Sequence, residues 1–468
     1  MKTNWKKHVG RRTLRRERRL LALLVALAAL LAACQPTPAE EIIVNRGDGA
    51  LEEAIAATAV PSEQPLLPVD EVGERIERWT DELHIRGLTC TIDADIVLPD
   101  KQIFPVYRVR QRTLDEKAVT EALAPLLAGA TGACETTRTR EQVLLDLMLA
   151  RKGSYAVYNG VGVWEPYDGQ EEDIARLEEE LKNTPEETFG PVPETVPLDT
   201  PYTYALPDGG RIRVRVSQDG LYATAYGAYS GVQPESWVMA GEAYPGEPKG
   251  TTLQNVKLTQ AEAEAAAETF LEQAGLTWLG LAGAEKARVL QGMTYETLSE
   301  GWQLTYARSD GGCIPVYYEN QQSGILYRPA EDYAPHWFPE FARIYVDENG
   351  VQSFEWRNPL EIVETMNENV LLLEFDEIRE QITQAIEHGY AYMSELMGGG
   401  ENTVTVDRIL LTNVLVPMRD TVEYQMLVPA WVVFYEEDLG LGEPLRDFIA
   451  VNAVDGSLVD LQVTPEMM

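Results

Sequence analysis

Beyond residue 33 the chain carries three histidines, His84, His336 and His388, in three separate segments. A zinc hydrolase needs paired histidines flanking a carboxylate, as in H-E-x-x-H, and no such spacing occurs. A Ser-His-Asp hydrolase has to recruit one of the three, and no G-x-S-x-G elbow supports it. Asp93 and Asp95 stand two apart on a predicted strand and so share a face, an arrangement that can hold a cation or act on a glycoside. In a chain with 75 Asp and Glu, such a pair on a solvent-facing strand is ordinarily just hydrated. Asp347-Glu348-Asn349-Gly350 begins like a calcium loop but lacks the D-x-[DN]-x-[DN]-G spacing, and it reads as a hairpin turn. The expectation is a protein with no catalytic residues, no metal site and no cofactor, hence not an enzyme.

Aromatic residues offer the better surface for a ligand. Tyr202, Tyr204, Tyr222, Tyr226, Tyr229 and Trp237 crowd into the middle of the chain, and Tyr222 and Tyr226 share strand parity. Together they can form a stacking platform for a sugar or peptide, although tyrosine also packs cross-strand as an ordinary sheet residue. A second group, Tyr333, His336, Trp337 and Phe338, sits in a proline-flanked loop, where Trp337 is the further stacking residue. The cysteines beyond the leader are Cys90, Cys134 and Cys313. A Cys90–Cys134 disulfide is one reading, since both fall in one expected domain, and three buried thiols are the other. No C-x-x-C is present, so a redox motif and a zinc knuckle lack support.

The elements that must position these residues follow from pattern. Glu71–Glu82 is a predicted helix, with strands over Leu83–Val97 and Lys101–Arg110. Thr113-Leu114-Asp115-Glu116 reads as a capping box, and a second capped helix runs from Thr139 to Arg151, before Gly153. Tyr155–Trp164 is a predicted strand and Glu171–Asn183 a charged helix burying Ile174, Leu177 and Leu181. Five prolines between Asn183 and Pro201 mark a linker. Strands then follow at Tyr202–Leu206, Arg211–Val216 and Leu221–Tyr229.

From Leu258 a repeated order appears. Thr259-Gln260-Ala261-Glu262 is a capping box, Ala263, Ala266, Ala267, Phe270, Leu271 and Ala274 form one apolar stripe, and Gly275 ends the helix. Strands are predicted at Ala284–Gln291, Gly301–Arg308, Ile314–Glu319, Phe341–Val346 and Val351–Trp356. A second helix from Asp376 carries Ile378, Ile382, Ala385, Ile386, Gly389, Met393 and Leu396 on one face. Strands follow at Thr403–Val416, Val422–Tyr435 and Phe448–Val463, with a turn at Asp455-Gly456. Each round places an aliphatic-Pro step before an aromatic strand, Ile314-Pro315 in one and Val428-Pro429 in the other, which suits a strand start or an edge. The fold class expected is multidomain α+β, with helix-on-antiparallel-sheet modules and two tandem copies in the C-terminal half.

This order, with Val428-Pro429-Ala430-Trp431 and the closing Val451-Asn452-Ala453-Val454-Asp455-Gly456, resembles the PepSY-like and YycI-like modules of Gram-positive lipoproteins and membrane-anchored regulators. The module likeness covers about residues 256–463. More loosely, the whole chain looks like an uncharacterised group of lipoproteins from Gram-positive gut bacteria. The resemblance implies binding or regulation at the cell surface and brings no catalytic residues with it.

Charge and the amino terminus give an address. The 468 residues carry a formal net charge of −36, with 45% hydrophobic and 24% charged residues. Nine Lys and Arg crowd into residues 2–19, and acidic residues outnumber basic ones more than twofold in the rest. Such a body repels phosphate backbones, which excludes nucleic acid as a partner. The apolar run Leu20–Ala33 is shorter than the roughly 20 residues a bilayer span needs, and a basic head with a short apolar core reads as a signal peptide. Its end, Leu31-Ala32-Ala33-Cys34, resembles the bacterial lipobox, and that resemblance makes Cys34 the acylated first residue of the mature chain. The organisation expected is a leader (1–33), a flexible tether (34–69) reaching on the order of 30 Å, an N-terminal α+β domain (70–183), a linker and β-rich middle (184–255), and two modules (256–361 and 362–468). The function expected is a lipid-anchored, extracytoplasmic protein with a non-catalytic binding or regulatory role toward a surface protein or peptide. Binding of a solute or glycan through the Tyr-rich region is the alternative, and a cell-wall or polysaccharide hydrolase has the least support.

Overall fold

The computed structural model describes residues 44–45, 50–57, 70–71, 74–75, 77–85, 88–99, 103–158, 161–184, 188–207, 209–217, 220–226, 236–240, 253, 255–291, 297–317, 339–396, 402–418, 421, 423–438 and 444–459. Among them the strands make two nine-stranded sheets and two short hairpins. The first sheet runs in space through Val44–Asn45, Leu458–Val459, Leu445–Asn452, Gln425–Asp438, Asn402–Pro417, Leu88–Val97 and Arg78–Ile85. Val106–Gln111 joins its Gln425–Asp438 strand to Leu360–Asn367. The second sheet runs through Ser236–Ala240, Leu279–Gln291, Thr297–Arg308, Phe341–Asp347, Gly350–Arg357, Gly220–Tyr226, Arg211–Ser217, Tyr202–Ala205 and Gly132–Glu135. Helices lie against these sheets, and the fold is α+β as expected.

Each of the two stripe-bearing helices covers a sheet. Gln260–Gln273 is capped as its sequence requires: the Thr259 hydroxyl accepts from the Glu262 amide, and the Glu262 carboxylate accepts from the Thr259 amide. Its stripe of Ala263, Ala267, Phe270 and Leu271 is buried, and Phe270 meets Phe354 of the second sheet edge-on at 4.9 Å between ring centres. Full burial of a side chain such as Phe270 is worth about 1.5–3 kcal/mol. Gly275, at φ 71°, lets the Leu276 amide reach back to the Leu271 carbonyl and close the helix end. Phe375–Leu396 covers the first sheet with Phe375, Ile378, Ile382, Ala385 and Ile386 buried. Phe375 stands 6.3 Å from Trp79 and 4.9 Å from Trp431 between ring centres. The side chains of Gly389, Met393 and Leu396, expected on the same face, lie outside the described residues. After each helix the chain runs as an antiparallel meander: 279–291, 297–308, 341–347 and 350–357 in one case, and 402–417, 425–438, 445–452 and 458–459 in the other.

Several local expectations give way to tertiary pairing. Most of the span predicted as helix between Glu71 and Glu82 is extended: Arg78–Ile85 is a strand paired antiparallel with Leu88–Val97. It buries Trp79 and Leu83 against the sheet and leaves its charged residues in water. Leu88–Val97 alternates buried and exposed residues throughout and lies parallel to Asn402–Pro417, so the first sheet is not wholly antiparallel. The helix expected to open at Thr113 is capped instead by Asp115, whose carboxylate accepts from the Ala118 amide at 2.7 Å. Ile314–Tyr317 is not a strand; this segment bridges the sheets, with the Ile314 carbonyl accepting from the Thr412 hydroxyl. The other proline of the pair, Pro429, sits inside a strand rather than at its start. It falls where the strand changes neighbours along one edge, with 106–111 pairing 425–427 and 445–452 pairing 430–437. A missing amide donor costs least at such a changeover.

Strand pairing also crosses the expected domain boundaries. Gly132–Glu135 pairs with Tyr202–Ala205 in the second sheet, and Leu88–Val97 lies in the first. The chain between Gly132–Glu135 and Tyr202–Ala205 makes a small lobe with its own core of Val143, Leu147, Ala150 and Leu177, against which Ile174 and Leu181 pack. The proline-rich stretch that follows is docked on the Glu116–Leu123 helix: the Thr195 hydroxyl donates to Glu116, and the Val196 amide donates to the Thr120 hydroxyl.

The chain passes between the sheets at two adjoining points. Residues 112–115 lead from Val106–Gln111 to the helix on the second sheet, and Asn358-Pro359 leads back from Gly350–Arg357 to Leu360–Asn367. The two passages are tied directly, since the Arg112 amide donates to the Pro359 carbonyl at 2.7 Å. Asn358 takes φ 49° there, a left-handed conformation that Asn tolerates better than most residues.

Candidate functional site

A cleft of about 910 Å³ opens at this seam, at the upper end of the size range of small-molecule pockets. Arg110, Gln111, Leu360 and Glu361 line it from the first sheet, Arg112 and Thr113 from the first passage, Arg308 from the second sheet, Trp278 from the turn before Leu279–Gln291, and Glu423 from the chain entering Gln425–Asp438.

Its rear wall is organised by one carboxylate. Glu340 is 1% exposed and immediately precedes Phe341–Asp347. Its Oε1 accepts from the Trp356 indole N–H at 2.9 Å and from the Trp278 indole N–H at 3.2 Å, while its Oε2 accepts from the Arg308 guanidinium. Arg308 also donates to Asp310 and, at 3.0 Å, to the Leu360 carbonyl, which binds the second sheet to the first. Burial pushes the Glu340 carboxyl above its ordinary range, opposed by the Arg308 charge and the two indole donors. Burial works against the Arg308 charge as well, but Glu340 and Asp310 outweigh it and hold that guanidinium above its usual value. A buried carboxylate with three donors is satisfied, and it fixes both tryptophans and the arginine in one geometry.

The front of the cleft is lined by cross-strand charges. Arg110 is opposite Glu361 in the ladder and donates to it at 2.9 Å. Arg308 lies over the Trp278 ring at 5.9 Å, and Arg112 lies over the Trp356 ring at the same distance. Tyr107 stands nearby; burial raises its phenol, with Asp310 and Cys313 adding to the rise and Arg308 opposing it. The arrangement can bind: it offers guanidinium donors, carboxylate acceptors and an indole face in a rigid concave setting.

None of the described residues lining the cleft is a site residue singled out in the sequence. Cys34 and Trp337 are outside the described residues, as are Tyr229, Tyr333, His336 and Phe338. The backbones of Tyr222 and Tyr226 lie on Gly220–Tyr226, opposite Arg215 and Arg211, but their side chains are outside the described residues, as is that of Trp237. Tyr204 is a core residue at 1% exposure, packed beside Tyr202. Asp93 and Asp95 are exposed and share Arg78, at 2.7 and 3.5 Å. Asp347 begins a hairpin turn, accepting from the Asn349 amide at 2.8 Å and the Ser299 hydroxyl at 2.6 Å. Cys90 and Cys134 are not joined in a disulfide: Cys90 is on Leu88–Val97 in the first sheet and Cys134 on Gly132–Glu135 in the second. Strand pairing divides the expected N-terminal domain between the two sheets. Among the described residues no cluster of His, Cys, Asp and Glu is arranged to hold a metal ion. No helix among them is long and apolar enough to cross a membrane.

The seam residues escaped the sequence reading. Arg110, Arg308 and Glu423 fell in predicted strands near their observed places, but nothing marked them as sharing a site, and Glu361, the partner of Arg110, is 251 positions away from it. No periodicity or motif marks Trp278, Arg308, Glu340 or Glu423.

No protein-family model and no curated protein matches the chain. Among solved structures it is similar to the crystal structure, at 1.45 Å, of an uncharacterized protein from Eubacterium rectale. The likeness has a TM-score of 0.47 at 14% identity and covers 84% of this chain and 97% of that one.

Proposed function

We propose that this protein is a lipid-anchored, extracytoplasmic binding protein without catalytic activity, and that the seam cleft takes its ligand. The observation that carries the reading is the cleft itself: a concave space of about 910 Å³ whose rear wall is held by one buried, fully engaged carboxylate. Preformed concave sites with a few fixed polar groups are where small ligands and peptide segments bind. The anchor is supported by the basic head, the Leu20–Ala33 run and Cys34 at its end. The acidic body suits the outer face of a membrane, where the lipid does the holding.

Two experiments test this. Cells fed a clickable fatty acid should label the protein, and Cys34→Ala should lose that label; unchanged labelling defeats the anchor. For the cleft, Trp278→Ala should abolish retention of a bound solute in equilibrium dialysis; it also takes a donor from buried Glu340 and lowers the urea midpoint, so circular dichroism at the dialysis temperature must show the variant folded. Retention untouched by Trp278→Ala defeats the site.

A further inference from the structure

The charges lining the seam occur as neighbouring opposites. Arg110 pairs with Glu361, and Arg308 with Glu340 and Asp310. Arg112 and Glu423 are neighbours through the sheet: Gln425 pairs with Val109 and the Tyr424 hydroxyl accepts from Arg110, which brings Glu423 beside Gln111, the residue before Arg112. Neither side chain is taken up by an ion pair among the described residues. Arg112 lies over the Trp356 ring at 5.9 Å, and Glu423 uses its amide, donating to the Thr421 hydroxyl at 3.1 Å. A free ion entering the cleft meets both signs at once, and the net charge of −36 turns anions away at longer range.

A guanidinium only donates and a carboxylate only accepts, so a ligand that answers a neighbouring pair of them must do both. A hydroxyl does, with one donor hydrogen and two acceptor lone pairs. Two hydroxyls on adjacent carbons answer such a pair together, one accepting from the guanidinium and the other donating to the carboxylate. Gln111 and Thr113, which also line the cleft, each donate and accept as well. Trp278 spends its indole N–H on Glu340 at 3.2 Å, so the surface it offers the cleft is carbon. Sugar rings join closely spaced hydroxyls to an apolar C–H face, and that face packs on an aromatic ring.

From this we infer that the cleft takes a neutral oligosaccharide, its hydroxyls bridging Arg110 and Glu361 and reaching Arg112 and Glu423, with a ring packed on Trp278. The inference rests on the seam cleft being the binding site. A space of 910 Å³ is about 12 Å across, which suits a few linked rings better than a single one.

The test is equilibrium dialysis of the full-length protein in a sugar-free detergent. The probes are maltotriose, cellotriose, xylotriose and mannotriose, the permethylated form of each, trigalacturonic acid and trialanine. At least one neutral trisaccharide should be retained, and its permethylated form, which has no hydroxyl to donate, should be held about tenfold more weakly or worse. Arg112→Gln and Glu423→Ala should each weaken retention of the free sugar about tenfold, the worth of one hydrogen bond to a charged group, with circular dichroism spectra matching the parent. Equal retention of free and permethylated forms, or retention indifferent to both variants, overturns the inference. So does retention of trigalacturonic acid or trialanine in place of the neutral sugars. In each of these cases loss of binding in folded Trp278→Ala keeps the cleft as the site. If no probe is retained, the inference and the cleft both fall.

Discussion

Glu340 accepts the Trp356 indole N–H at 2.9 Å in a place where both side chains are 1% exposed. That bond stands at the centre of the seam, because the other Glu340 oxygen holds Arg308 and Arg308 reaches the Leu360 carbonyl of the first sheet. The two sheets are therefore coupled through a polar group that neither could bury alone.

Replacing that carboxylate tests the coupling. Glu340→Gln keeps an oxygen for both indoles but sets an amide NH2 and no charge against Arg308, whose remaining carboxylate partner is Asp310. Breaking a buried pair from one side costs about 3 kcal/mol. Urea unfolding should show that loss as a lower midpoint, and a midpoint within experimental error of the parent would contradict the network.

The buried titratable groups give a pH dependence with a definite sign. Burial, aided by the Asp81 charge, pushes the Cys90 thiol from 9.0 up to about 12. Burial, aided by Tyr202, raises Tyr204 from 10.0 to about 12, and burial raises Tyr306 and Tyr345 as well. A group whose folded pKa lies above its unfolded one contributes stability that is complete below the unfolded value and is lost as pH climbs through the folded value. These groups should therefore leave stability level up to about pH 9 and erode it from there toward pH 12, as urea midpoints across that window will show.

Cys90 also has a direct chemical signature. The thiolate is the reactive form, and a thiol near 12 with no exposed surface should resist iodoacetamide at about pH 8 in the folded protein. It should react promptly once urea unfolds the chain. Alkylation of native Cys90 at the unfolded rate, read by peptide mass, would place it outside the core.

Tyr306 is 1% exposed, and its hydroxyl has no hydrogen-bond partner among the described residues. Tyr306→Phe removes a buried polar atom that returns nothing, so stability should hold or rise by up to about 1 kcal/mol. Calorimetry that finds a loss of several kcal/mol would mean the hydroxyl has a partner.

Thr259→Ala removes one half of the reciprocal cap on Gln260–Gln273. The expected cost is about 1 kcal/mol, as for other Ser and Thr caps. Thr259→Ser, which keeps the acceptor, should recover most of it, and equal losses in the two variants would rule out the cap as the cause.

What the sequence determined unaided is local. Thr139 and Thr259 with their reciprocal partners, the stripe from Ala263 to Ala274, the stop at Gly275 and the Asn349-Gly350 hairpin are each decided within about a dozen residues. A helix turn or a tight hairpin closes over that span, so the residue types there set the conformation. Where a segment's partner is distant the pattern misleads. Arg78–Ile85 carries the acidic residues of a surface helix and is a strand, because Leu88–Val97 pairs with it and itself lies against Asn402–Pro417, more than 300 positions on. The candidate site belongs wholly to this second kind. Arg112 meets Trp356, Arg110 meets Glu361 and Arg308 meets Leu360 only once the chain has passed from one sheet to the other and back. Charge and aromatic type say that such residues can bind something. Which of them share one space is settled by non-local pairing, and no local spacing encodes it.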